Sequence, residues 1–176
     1  MVKNWLRAIA IGGALVAPLG LSPAVAQAGD RELALLSSYI GNWRGEGLLV
    51  GGNQPEAFRC RLNVAKGNAL KINYTGRCTL VNATLSISGT IAYNDDARQY
   101  EAVMSSNAGY TGLAIGRQSG GRISFDLREQ QKDRAGGDVR IGARILLVGD
   151  RITVDFEVEF NNSGDVLTTS VPFSQS

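Results

Sequence analysis

Cys60 and Cys78 are the only cysteines of a 176-residue chain. They lie 18 positions apart, with no CxxC spacing and no helix start beside them. An even count without a redox spacing suits a structural disulfide better than a reactive thiol pair. The sequence contains no histidine (His 0). That excludes Ser-His-Asp and Cys-His catalysis, His-ligated zinc and His-ligated haem. No Ser-x-x-Lys offers a serine another base, and the glycines fall between strand-like stretches rather than ahead of a helix, so no phosphate-cradling loop is expected. Asp155, Glu157 and Glu159 alternate along one stretch, a spacing that can share a cation or a proton. The same spacing describes an ordinary solvated strand face, which is the expectation for this stretch. Asn94-Asp95-Asp96 offers oxygen ligands but lacks the further acids of a calcium loop, and reads as a hairpin turn. Arg59, Arg61, Lys71 and Arg77 are expected to share the outer face of one hairpin, a patch able to meet an anionic envelope partner. The usual acid, base and nucleophile sets are missing, so the sequence predicts no enzyme, no metal and no cofactor.

The first residues carry an address. Lys3 and Arg7 form a basic head, residues 8–21 are apolar, Ser22 and Pro23 break the run, and Ala26-Gln27-Ala28 is a small-x-small cleavage site. The spacing predicts a signal peptide over residues 1–28, removed after Ala28, and a periplasmic or secreted protein. With Gly12, Gly13 and Pro18 inside it, the apolar run is too short for a bilayer span of about 20 residues. No later stretch is long and apolar enough to span a membrane. Of 18 basic and 16 acidic residues the leader holds two basic and no acidic ones, so residues 29–176 are neutral. Neutrality argues against nucleic acid, whose phosphates need a basic excess.

Residues 29–176 read as a single all-β domain. Residues 30–40 are the one helical candidate, with Leu33, Leu36 and Ile40 on one face, Asp30 able to cap it and Gly41 able to end it. After it, period-two alternation is cut by turn residues about every 8 to 12 positions. Ten strands follow, at about 43–50, 56–66, 70–80, 83–93, 99–105, 111–117, 122–130, 138–148, 151–160 and 166–173. The charged, glycine-containing segment 128–138 reads as a long hairpin loop. Short turns between successive strands predict an antiparallel up-and-down meander, and closing it into a barrel removes its two edges. The helix is then placed to close one end.

Alternation also assigns faces. Phe58, Cys60, Leu62 and Val64 face one way, with Arg59, Arg61 and Asn63 opposite. Leu70, Ile72, Tyr74, Gly76 and Cys78 do the same in the next strand. A register pairing Val64 with Tyr74 and Leu62 with Gly76 sets Cys60 opposite Cys78. Small inward positions (Gly45, Gly47, Gly76, Gly89, Ala102, Ala143) leave room for an apolar cavity, and Thr169 is the polar exception on its inward face. Glycines also serve barrel strands by letting them bend, which needs no cavity. The inward residues expected to face a ligand are Trp43, Tyr74, Tyr100, Met104, Phe125 and Phe156.

Gly41-Asn42-Trp43-Arg44-Gly45-Glu46-Gly47 follows the helix and opens the first strand. This resembles the Gly-x-Trp opening of lipocalins and the wider calycin barrels. Its extended form, with ten strands, is more similar to the nitrobindin and fatty-acid-binding side of that group. The resemblance implies a tryptophan packed across the barrel floor and an interior that binds small hydrophobic molecules, or haem in the nitrobindin branch. Nitrobindins hold haem iron through a histidine, which this chain lacks; a haem here would have to lie against Tyr74, Tyr100 or Met104. Trp43 is the only tryptophan after the leader, so the tryptophan-rich biotin surroundings of avidins are missing. The expectation is an exported, periplasmic, non-enzymatic barrel that binds a small hydrophobic or amphipathic ligand. The alternative is an envelope structural or protein-interaction barrel with a filled interior, acting through its outer surface and loops.

Overall fold

The computed structural model describes residues 29–81, 83–107, 111–132 and 136–176. The expected leader and its cleavage after Ala28 lie outside the described residues. One helix, α1 (Asp30–Ser37), precedes ten strands: β1 (Gly41–Leu49), β2 (Glu56–Lys66), β3 (Lys71–Thr79), β4 (Thr84–Asn94), β5 (Gln99–Ser106), β6 (Thr111–Ser119), β7 (Arg122–Lys132), β8 (Asp138–Val148), β9 (Arg151–Phe160) and β10 (Val166–Gln175). Each strand pairs antiparallel with its neighbour in sequence, and β1 closes on β10, so the barrel has no free edge.

Alternation drives the closure. Cys60, Leu62 and Val64 are buried while Arg59, Arg61 and Asn63 are exposed, and the predicted β2–β3 register holds: Val64 faces Tyr74, Leu62 faces Gly76 and Cys60 faces Cys78. A disulfide joins that last pair across a Cα–Cα distance of 4.0 Å. Tying residues this far apart in sequence removes loop entropy from the unfolded chain, worth on the order of 3 kcal/mol.

The helix is shorter than its apolar period suggested, ending at Ser37 rather than Ile40. Gly29, not Asp30, occupies its N-cap, and the Gly29 N–H donates to the Glu32 carboxylate at 2.8 Å. Ile40 belongs to a tight turn, its N–H bonded to the Ser37 carbonyl, and Gly41 is already the first residue of β1. Leu36 is fully buried and plugs the barrel end that α1 covers. Beneath it lie Tyr39, Trp43, Ile72, Tyr100, Ile123, Phe125 and Leu147, all 2% exposed or less. The Trp43 indole N–H donates to the Tyr39 carbonyl at 2.9 Å, fastening the turn after the helix to the barrel floor.

Candidate functional site

The barrel interior divides into two halves. The half under α1 is filled by fully buried side chains. In the other half, inward-facing side chains of β4, β5, β8 and β9 keep partial exposure: Leu85, Ile87, Met104, Ile141, Ile145, Val154 and Phe156. They surround a cavity of about 90 Å³ whose wall also includes Phe58, the Cys60–Cys78 bridge, Ala143 and Thr169. The open end is therefore the one opposite the helix.

Two polar residues, Ser106 and Thr169, interrupt this apolar wall. Thr169 is 5% exposed, and its hydroxyl has no hydrogen-bond partner among the described residues. It sits across from Phe156 in the β9–β10 register and lies over Gly47, where a Cβ would come within 2.9 Å of the hydroxyl oxygen. A buried hydroxyl without a partner costs about 1–3 kcal/mol, and a ligand donor or acceptor placed there recovers it.

Two of the expected ligand-facing residues, Met104 and Phe156, line the cavity. The other four fill space elsewhere. Trp43 belongs to the floor. The tip of the Tyr74 ring sits against Gly89, where a Cβ would be 2.5 Å from the ring, and its hydroxyl donates to the Val103 carbonyl at 3.1 Å. Phe125 covers Gly116 in the same way, at 2.5 Å, and Tyr100 flanks that position. Of the inward glycines expected to leave empty volume, Gly89 is thus occupied by an aromatic ring, while Val171, Thr169 and Ile87 crowd Gly45, Gly47 and Gly76. Tyr100 stacks edge-on to Tyr93 at 5.1 Å, and burial, reinforced by Glu32, pushes its hydroxyl up to about 12. Burial also raises Tyr39, with Asp150 adding to it. A cavity of 90 Å³ has no room for a macrocycle, since sites for drug-sized molecules run to about 300–1,000 Å³.

The alternation signal found the face but not the depth. Thr169, Phe58 and the disulfide join the site because they lie toward the open end, a distinction that period-two patterning does not carry.

The acidic strand behaves as a solvated, cross-paired face. Asp155 accepts from the Ser170 hydroxyl at 2.6 Å and faces Arg144 across the strands, while Glu159 pairs with Arg140. Asn94 closes a turn by accepting the Ala97 N–H at 3.0 Å. Among the described residues, no group of three His, Cys, Asp or Glu side chains gathers to hold a metal. The four basic residues expected to form one patch do not. Arg59 is paired with Glu46 at 3.5 Å, and Lys71 lies opposite Ala92 toward the helix end, whereas Arg61 and Arg77 are direct cross-strand neighbours. No helix among the described residues is long and apolar enough to cross a membrane.

No protein-family model and no curated protein matches the sequence. Solved structures match the fold. Rv2717c from M. tuberculosis superposes with a TM-score of 0.63 at 16% identity, over 82% of this chain and 97% of that one. The S-type phycobiliprotein lyase CPES from Guillardia theta superposes with a TM-score of 0.53 at 15% identity, over 85% of this chain and 98% of that one. At these identities the likeness carries the fold alone.

Proposed function

We propose that this protein is an exported, periplasmic, calycin-like barrel that binds a small amphipathic molecule without catalysing a reaction. The observation that carries the reading is the half-open apolar cavity with one unpartnered hydroxyl, Thr169, in its wall. The volume selects a narrow apolar group, such as a single ring or a short branched alkyl chain. The hydroxyl selects one hydrogen-bonding group at its edge, and the body of the molecule extends toward the open end. Trp43 in the floor below the helix supports the calycin-like assignment, and the disulfide is compatible with export. The missing histidine and the cross-paired carboxylates support the absence of catalysis. A barrel acting only through its outside is the second reading, favoured by the filled floor half and by glycines that neighbouring side chains fill.

The test is to fill the cavity. Ala143 is 6% exposed and lines it between Leu127 and Phe156. Ala143→Leu adds three carbons there. Overpacking costs about 1–3 kcal/mol, so the barrel is expected to stay folded. Phenol, titrated by calorimetry, is expected to bind the parent protein and not this variant. Equal binding to both would show that the interior is not the site.

A further inference from the structure

A second feature lies outside the barrel and does not depend on the cavity. The outer face of β1–β5 forms an open groove of about 1030 Å³. Two neighbouring cross-strand rows of outward side chains build it. One row runs Arg44, Arg61, Arg77, Ser86. The other runs Asn42, Asn63, Thr75, Ser88, Ser105. Among the described residues no Asp or Glu side chain lines this groove.

The arginine row breaks a rule that the rest of the barrel keeps. Elsewhere among the described strand pairs, charged side chains face opposite charges or neutral residues, as in Glu46 with Arg59, Asp126 with Arg144, Lys132 with Asp138 and Arg140 with Glu159. The like-charged opposed pairs among them are Arg44 with Arg61 and Arg61 with Arg77. Like charges directly opposite are destabilising. None of the three arginines has an ion-pair partner among the described residues. The groove on the far side of the barrel is the contrast: it mixes Arg140 and Arg144 with Asp126, Asp155 and Glu159 and neutralises itself. A local cost without a local compensation is the usual mark of a binding surface.

We infer that this groove binds a linear acidic oligosaccharide, a chain of hydroxylated rings bearing carboxylate or sulfate groups. Adjacent arginines are one strand spacing apart, about 4.8 Å, so the row presents charge over roughly 10 Å and suits repeated anions better than a single one. Ser, Thr and Asn beside them both donate and accept hydrogen bonds, as sugar hydroxyls require. Among the described residues the one aromatic at the groove, Trp43, is 2% exposed and offers no face for stacking bases, which argues against single-stranded nucleic acid. The surface is concave, which argues against a flat bilayer.

The experiment is a calorimetric titration of the full barrel at low salt with trigalacturonate, beside maltotriose, inorganic phosphate and phosphatidylglycerol vesicles. Trigalacturonate is expected to bind and maltotriose not to. Arg61→Ser, at the centre of the row, is expected to weaken binding about ten- to a hundred-fold. Arg117→Ser, outside the groove, is expected to leave it unchanged. Because the row is a strain on the fold, Arg61→Ser is also expected to raise Tm by about 1–4 °C at low salt. Four results would each overturn the inference: no binding of trigalacturonate, equal loss from both substitutions, binding of phosphate or vesicles in its place, or a lower Tm for Arg61→Ser.

Discussion

Thr169→Val replaces a hydroxyl by a methyl of nearly the same size at the buried, unpartnered hydroxyl of the cavity wall. In the free protein the hydroxyl is buried without a partner, so its removal relieves desolvation rather than breaking a bond. The expected gain is about 1–2 kcal/mol. For a domain of this size that raises Tm by about 2–8 °C. Binding should respond the other way. Phenol and toluene have almost the same shape, and only phenol carries a hydroxyl to exchange with Thr169. The substitution is expected to weaken phenol about tenfold, one hydrogen bond in an apolar site, and to leave toluene unchanged. Thermal melting and calorimetric titration of both proteins with both molecules measure all the terms. A lower Tm for Thr169→Val, or an equal change for phenol and toluene, would refute the reasoning, because either result means the hydroxyl does not face the ligand unpartnered.

Further expectations rest on other parts of the barrel. Replacing both Cys60 and Cys78 by Ala should lower stability by about 3 kcal/mol and Tm by roughly 6–12 °C, and dithiothreitol should do the same to the parent protein in thermal melts. Trp43→Phe removes the indole N–H from the Tyr39 carbonyl and leaves a smaller ring in the floor, so the urea midpoint should fall by the equivalent of about 1–3 kcal/mol. Tyr100 has its hydroxyl pushed up to about 12 from 10.0, so its contribution is complete below pH 10 and is lost as pH rises toward 12. That loss is on the order of 1–2 kcal/mol, and Tyr100→Phe should flatten it in urea titrations taken between pH 9 and 12.

The barrel was legible because its rules are local. Alternation in β2 and β3 assigned faces, and the inward cysteines then set a register that the structure keeps through Val64–Tyr74, Leu62–Gly76 and Cys60–Cys78. Where neighbouring strands decide, the sequence misled. Segment 128–138, read as a loop from its charge and glycine, is largely paired strand, with Lys132 opposite Asp138. In β6, alternation by hydrophobicity alone would turn Leu113 and Ile115 inward. Pairing with β5 turns them out and brings Gly112, Ala114 and Gly116 in, because Phe125 and Tyr100 already crowd Gly116. The site was half legible for the same reason. Inward aromatic residues were visible, but whether a ring fills a neighbour's glycine, as Tyr74 does at Gly89, or lines a cavity, as Phe156 does, depends on position along the barrel axis.

The central claim is that the end of the barrel opposite α1 takes a small apolar ligand. Methyl-resolved NMR of the barrel titrated with phenol addresses it directly. The claim predicts shifts that saturate together at Met104, Leu85, Ile141, Val154 and Thr169, with Ile123 and Ile152 in the floor half unmoved. No shift at any of these methyls, or shifts confined to the exposed outer residues Val103, Leu113 and Ile115, would contradict it.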